Sequence, residues 1–541
     1  MNNNSNSRIL LAIVLSLLFL IPYMYFFAPK TEHNDANATI AKASSSNIAQ
    51  NQESDKIDSI NAPSNVNISD VQAPISTDNS KIITKIESSN IEINIDNLGR
   101  IASVFLKDKK YLQDGKPLSL LDSNNLKPLE IRFQNKEINE KAFRMPYKAN
   151  ISDINLDNGN TELILTQDLG EINGIGNITI KKILTFYDNF KYDIRIELNK
   201  PLEYFISNGA RPVADSSAYV FKGVIIKKAD NKLEKIEEGD SLKGENPIFN
   251  NAKFVASVDR YYSTLFFNEN GFDVIMDIDS KENLLSYIAL NDSASFSGYI
   301  GPKNYQELKD ISPILTDVVE YGVITFFAKP LFLLLEWLFD IFKNWGWAII
   351  GLTLIVRIVL YPLTYKGMMS MQKLKDLAPK MKDIQTKYKG DSQKLQLHMM
   401  ELYKKHKVNP MGGCLPLLLQ IPVFFAIYRV LYNAVELKDA AWLLWIKDLS
   451  AMDPYFILPI LMGATMYLQQ RITPATFNDP MQEKIFKFLP LVFTIFLITF
   501  PAGLILYWTV NNIFSIIQQL IINKIMEKKK IHEMEEKSVK N

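Results

Sequence analysis

The sequence predicts an α-helical membrane bundle, an N-terminal anchor plus a five-helix core, that carries a large all-β domain outside the membrane. Three observations predict it. Residues 31 to 310 are polar and rich in Asn, Asp, Ser and Lys, whereas 320 to 525 are dominated by Leu, Ile, Phe, Met and Trp. The first of these regions alternates apolar and polar residues in short runs, the pattern of strands. The second holds apolar stretches of spanning length separated by charged connections.

Taken in order, residues 1–7 form a short N-terminal segment and 8–28 an apolar run, ILLAIVLSLLFLIPYMYFFA, preceded by a single charge, Arg8. A cleavable leader has an apolar core of roughly 7–15 residues and a small-residue cleavage site. This run is longer, and Pro29 follows Ala28, so the expectation is a retained signal-anchor with its N-terminus in the cytoplasm. Residues 29–81 are Asn/Ser/Ala/Asp-rich without periodicity and read as a flexible linker. From 82 to 317 the runs IEINI, TELILT, NITIKKILTFYD and YDIRIEL, separated by Asn, Gly and Asp turns, predict a β-sandwich. Within it GEINGIGN (170–177) lacks the spacing of a nucleotide loop and precedes a strand pattern.

Residues 318–343 mix Glu320, Lys329, Glu336 and Asp340 with Phe, Leu and Trp, interrupted by Pro330. That is the signature of an amphipathic helix lying along the interface rather than crossing it. The core, 344–525, contains candidate spans at about 346–365, 415–435, 455–472, 488–503 and 504–523, the last two divided by a turn at Phe500-Pro501-Ala502-Gly503. The connection 366–407 carries eleven lysines against four acids and reads as a helical hairpin broken at Lys389-Gly390-Asp391. Its methionines (Met368, Met369, Met371, Met381, Met399, Met400) suit either an adaptable docking surface or gap-filling between its arms. The tail, 526–541, is basic. The positive-inside rule puts hairpin and tail in the cytoplasm and the β-domain on the far side, in agreement with the orientation of the anchor.

Composition narrows the function. A net charge of +1 gives no global field for nucleic acid. A single cysteine, Cys414, excludes a disulfide framework or a cysteine zinc site within one chain. None of the four histidines lies between 82 and 320, which excludes histidine acid–base chemistry in the β-domain. Neither a metal site nor a cofactor or nucleotide site is expected, and the chain does not read as an enzyme.

One residue stands out. Arg357 interrupts GLTLIVRIVLYPLT, where a charge costs roughly 2.5–3.5 kcal/mol on insertion scales. It could snorkel toward Lys366, nine residues and about 13 Å along the helix. Polar residues on the other spans favour a different reading. Thr353 lies one turn before it; Gln420 opens the second span; Thr465 and Gln469 sit on the third; and Trp508, Asn511, Asn512, Ser515, Gln518 and Gln519 form one stripe on the last. Such a stripe can glue helices together, but amides supply no counter-ion, and no Asp or Glu occurs inside any of the five spans. A wet intramembrane cavity that receives an acidic guest accounts for the cation. A channel or transporter is the competing reading. It predicts paired acids, broken helices or an inverted repeat, and none is visible.

The stretches NWGWAII, IVRIVLYPLT, KVNPMGGCLPLLLQIPVFFAIY, LWIKDLSAMDPYFILPILMG, DPMQEKI and FPAGLILYW closely resemble the YidC membrane-protein insertase family. The layout of anchor, linker and large β-domain resembles its Gram-negative form. The resemblance implies a periplasmic β-supersandwich and an inner-membrane location with both termini cytoplasmic. It also implies a role in inserting, folding and assembling membrane proteins, alone or with the Sec translocon. It makes Arg357 the groove arginine, lined by Thr353, Gln420, Trp508, Asn511, Asn512 and Ser515, and maps a substrate slide onto Ile421, Pro422, Phe424, Phe496 and Phe500. Its implied partners are nascent membrane proteins, lipid, and ribosome- or signal-recognition-particle-delivered chains met by the hairpin and tail. Arg429 departs from the apolar or aromatic residue expected there.

Overall fold

The computed structural model describes residues 81–540 apart from 114, 215–219, 241, 243–245, 280–281, 322–323, 407, 409–414 and 474–479. The expected N-terminal segment 1–7, the anchor 8–28 and the linker up to residue 80 lie outside the described residues, as does Cys414.

Between Ile82 and Pro302 the chain builds two sheets, one of five strands and one of twelve. Strand alternation sets their faces. In Glu162–Ile172, Leu163, Leu165 and Leu169 point into the core while Glu162 and Asp168 face solvent. The run 170–177 closes a hairpin: Ile172 pairs with Gly176, and Gly174, at φ +78°, makes the turn. The core between the sheets is rich in large aromatics, including Phe186 stacked on Tyr192 at 5.5 Å.

This domain also buries charge, and pairs it. Asp96, fully buried, accepts from the backbone N–H groups of Leu98 and Arg100 and from the Arg100 side chain at 2.9 Å. Arg100 bridges on to Glu130 at 2.9 Å, and Glu130 in turn holds Arg132 at 2.9 Å. Lys182, fully buried beside this chain of ions, donates to the carbonyls of Gly99 and Leu129 at 2.9 and 2.7 Å. Burial pulls its ammonium down to about 7, against the opposing pull of Asp96.

Nine α-helices are present among the described residues. Two are short: α1 (Lys136–Arg144) and α2 (Tyr305–Ile311), each capped by an asparagine side chain. The others are α3 (Thr325–Phe342), α4 (Trp345–Lys387), α5 (Ser392–Lys405), α6 (Leu415–Asn433), α7 (Ile457–Ile472), α8 (Pro480–Leu497) and α9 (Ala502–Lys540). α3 buries Ala328, Phe332, Leu335 and Leu338 and exposes Phe326, Trp337 and Ile341, so it has two apolar sides. Two helices, α4 and α9 up to Lys529, contain an apolar window of spanning length.

α4 corrects one expectation. The first arm of the hairpin is no separate helix. The span runs straight into it, 43 residues without a break across Pro362 and Pro379, or about 65 Å. Only at Tyr388–Asp391, where Gly390 takes φ +101°, does the chain reverse into α5. The arms meet through Leu374, Leu377 and Met381 with Met399 and Val408, so these two methionines fill a gap, while Met400 stays exposed. Within the bundle α7 and α8 approach closely: a Cβ at Gly463 would stand 2.2 Å from the Thr494 hydroxyl.

The two halves are joined at the end of α6. Val435, in the 3-10 turn Val435–Leu437, is fully buried within the core of the β-domain, while its neighbours Ala434 and Leu437 belong to the core of the bundle. Glu436 accepts from the Tyr305 N–H at 3.0 Å, and Lys438 donates to the Tyr262 hydroxyl at 3.0 Å.

Candidate functional site

Arg357 lies on α4, nine residues past the Ala348 that anchors the helix in the bundle core. It does not snorkel out along its own helix; it turns sideways onto α9. Its Nε donates to the Asn511 side-chain oxygen at 2.8 Å, and its Nη2 donates to the Asn511 carbonyl at 3.0 Å and to the Ser515 hydroxyl. Asn511 and Ser515 can share one guest because they are four residues apart on one helix face. Ser515 also donates to the Asn511 carbonyl at 2.9 Å, which fixes its rotamer. All these acceptors are neutral. Among the described residues no carboxylate pairs with Arg357, and its Nη1 donates no hydrogen bond.

The rest of the polar stripe divides. Asn512, 3% exposed, reaches Thr465 of α7 at 3.3 Å, and Gln518 reaches Thr364 of α4 at 2.9 Å. These are interhelical ties, so the stripe is not one continuous wet surface as expected from its periodicity. Thr353, 1% exposed, donates to the Ile349 carbonyl of its own helix and adds no free polar group beside Arg357. Gln420 is half-buried on α6. Thr364 was missing from the sequence reading. Its position seven residues after Arg357 places it on the same helix side, which was the available signal.

The slide positions come together as aromatic contacts between three helices. Trp508 of α9 meets Phe424 of α6 edge-on at 4.6 Å and Phe493 of α8 at 5.8 Å. Phe496 and Phe500 pair at 5.6 Å, and Tyr428 reaches Phe500 at 6.2 Å. Phe496 and Pro422 are exposed and Ile421 half-buried. Phe493 and Tyr428 were not singled out beforehand; both are apolar residues inside apolar runs, where periodicity alone does not say which neighbour they touch. Arg429 is half-buried on α6 and engaged by neighbouring groups.

Comparison with known proteins supplies the frame for this geometry. The family of the 60Kd inner membrane protein matches residues 337–530, and that of the YidC periplasmic domain matches 83–334. The membrane protein insertase YidC of Wolinella succinogenes is 53% identical over 97% of this chain and 96% of its own. That of Helicobacter pylori is 53% identical over 98% of each chain, and that of Campylobacter jejuni 48% identical over 98% of each. With matches that run through both the β-domain and the bundle, the chain belongs to the YidC family of inner-membrane protein insertases.

Proposed function

We propose that this insertase works through a half-open intramembrane groove whose charge is Arg357, and that the guest is the polar, acidic end of a nascent membrane protein. The observation that carries the proposal is the pairing of Arg357. Its guanidinium is held in place by a neutral amide and a hydroxyl, while Nη1 keeps two N–H groups without an acceptor among the described residues. A carboxylate is the natural ligand for that edge. Asn511 and Ser515 fix the orientation of the guanidinium without neutralising it.

The energetics need no covalent step and no nucleotide. Moving some 20 apolar residues of a substrate from water into lipid supplies the driving force. The barrier is the polar segment that must cross first. α7, at 16 residues, covers about 24 Å, less than the roughly 30 Å of a hydrocarbon core. A short helix on the groove side shortens the dry path, and the cation offsets desolvation of the passing acid. The aromatic surface made by Phe424, Trp508, Phe496 and Phe500, flanked by Ile421 and Pro422, then guides the apolar span toward lipid. We assign Gln420 to the wall of this groove, with Thr353 and Asn512 packed behind it.

Both termini lie in the cytoplasm in this reading, and the β-domain faces the periplasm. The lysine-rich arms of α4 and α5 and the end of α9 receive chains delivered by the ribosome and the signal recognition particle. The Sec translocon is a partner for substrates with large translocated domains.

The test is a double-mutant cycle in vesicles. Neutralising the acidic residues of a short translocated tail is expected to remove most of the difference in insertion rate between the parent protein and Arg357→Ala. A difference that stays the same with acidic and neutral tails would sink the direct-attraction account.

A further inference from the structure

Phe424, Tyr428 and Tyr432 recur every four residues on α6, so their rings run along one side of the helix. They touch in series: Phe424 and Tyr428 at 6.4 Å with planes 25° apart, Tyr428 and Tyr432 at 5.3 Å and 23°. One end of this column is Trp508, 4.6 Å from Phe424. The other end is in the β-domain. The guanidinium carbon of Arg260 sits 3.8 Å from the centre of the Tyr432 ring, and its Nε donates to the Tyr432 carbonyl at 2.8 Å. Tyr261 closes the far side of the same guanidinium at 4.4 Å.

Both contacts have a physical reason. Tyr432 is in the last turn of α6, where carbonyls lack an intrahelical partner and a cation is favoured by the helix dipole. A planar guanidinium can satisfy that carbonyl and stack on the ring at once, which an ammonium cannot. Arg260 is 8% exposed, so the clamp is shielded from competing water. Other ties between the halves include Glu436 with Tyr305 and Lys438 with Tyr262, which lie beyond the helix end, and Asn433, the last residue of α6, which donates to the Glu320 carbonyl at 3.2 Å.

We propose that Arg260 is a positioning residue for the substrate-facing side of α6: by capping and stacking on Tyr432 it fixes the rotation of that helix about its axis and so holds Phe424 against Trp508. The proposal rests on reading Phe424 as part of the slide. A rotation of about 30° would carry a ring at a radius of about 6 Å through roughly 3 Å, enough to take Phe424 off Trp508. The β-domain then does more than hang from the membrane core; it sets the angle of one wall of the groove.

The experiment uses the full chain in vesicles with Cys414→Ser, Phe424→Cys and Trp508→Cys, coupled by a short bifunctional thiol reagent without substrate. Arg260→Ala and Tyr432→Ala should each lower coupling about fivefold and raise it for the pair with Phe425→Cys in place of Phe424→Cys. Arg260→Lys should fall between. Tyr432→Phe, which keeps ring and carbonyl, should couple as the parent does. A control pair, Thr364→Cys with Gln518→Cys, should not change. Unchanged 424–508 coupling in Arg260→Ala overturns the proposal, and so does an equal loss at the control pair, which would signal plain destabilisation. A photoreactive residue at 424 reads substrate contact in parallel. If thiol coupling shifts while substrate adducts at 424 and insertion stay at parent levels, positioning of the slide is refuted. If the parent itself gives no substrate adduct at 424, the slide reading fails, and the thiol coupling still decides whether Arg260 sets the rotation of α6.

Discussion

Arg100 and Arg132 of the β-domain are buried and Arg357 of the bundle is half-buried, and the two halves hold their arginines in opposite ways. In the β-domain Arg100 and Arg132 are matched by Asp96 and Glu130 at 2.9 Å, so each of these two charges has a counter-charge on the chain. In the bundle Arg357 is oriented by Asn511 and Ser515 and left cationic. In the function proposed above, this contrast separates an arginine that serves the fold from one that serves a guest. Where an arginine serves the fold, as Arg100 and Arg132 do, its desolvation is offset by carboxylates of the same chain. Arg357, proposed to serve a guest, is positioned by a neutral amide and a hydroxyl and keeps its charge available.

The contrast can be broken most forcefully at Asp96. Asp96→Ala leaves Arg100 buried with half its partners, and should cost about 3–5 kcal/mol of β-domain stability, read as a lowered unfolding midpoint. A midpoint within a degree of the parent would mean the pairing is incidental. Next in size is Arg357. Arg357→Ala should slow insertion of an acidic-tailed substrate roughly tenfold to a hundredfold, equivalent to about 1.4–2.8 kcal/mol, with no loss of thermal stability, since it removes a charge the bundle does not compensate. Arg357→Lys should retain much more activity than the alanine variant. Equal losses in the two would reject action by charge.

Asn511→Leu is a subtler probe. It removes the Nε acceptor but leaves the cation, so insertion should fall about fivefold, near 1 kcal/mol, and the preference for acidic tails should weaken without vanishing. Full activity would show that orientation of the guanidinium is irrelevant. A probe of a different kind lies in the β-domain, at Lys182, where the effect is read per pH unit. Its folded-state pKa is drawn down to about 7 by burial, from roughly 10.4 in an unfolded chain. Between those values the unfolded state holds more protons, so stability should climb as pH rises through that window, by at most about 1.4 kcal/mol per pH unit. Below the folded value the gain is gone. Lys182→Met should flatten the climb, and an equally steep profile in that variant would assign the pH dependence to other groups.

Much of this was legible beforehand, for identifiable reasons. The β-domain could be read because strands such as Glu162–Ile172 bury every second residue, and period-two alternation survives in sequence. The stripe on α9 could be read because Asn511, Asn512, Ser515, Gln518 and Gln519 share a helical period. Which of them would meet Arg357 could not: Asn511 and Asn512 are neighbours in sequence, yet one holds the guanidinium and the other ties α7. A rotation of less than a third of a turn separates those outcomes, and it is set by packing between helices. The continuity of α4 was hidden for a related reason. The change from apolar to lysine-rich composition after residue 365 reads as a boundary, whereas helix propagation needs only that each turn support the next, and α4 runs on across Pro362 and Pro379.

From the sequence alone came the division into polar, alternating segments and apolar ones, and the place of Arg357 in an apolar run with no acid beside it, because burial periods and net charge are local properties of a chain. Tertiary packing alone decides what orients that cation and what the Tyr432 end of α6 is held against. Those are contacts across 154 residues from Arg357 to Asn511 and 172 from Arg260 to Tyr432, and such distances close only when separate elements pack.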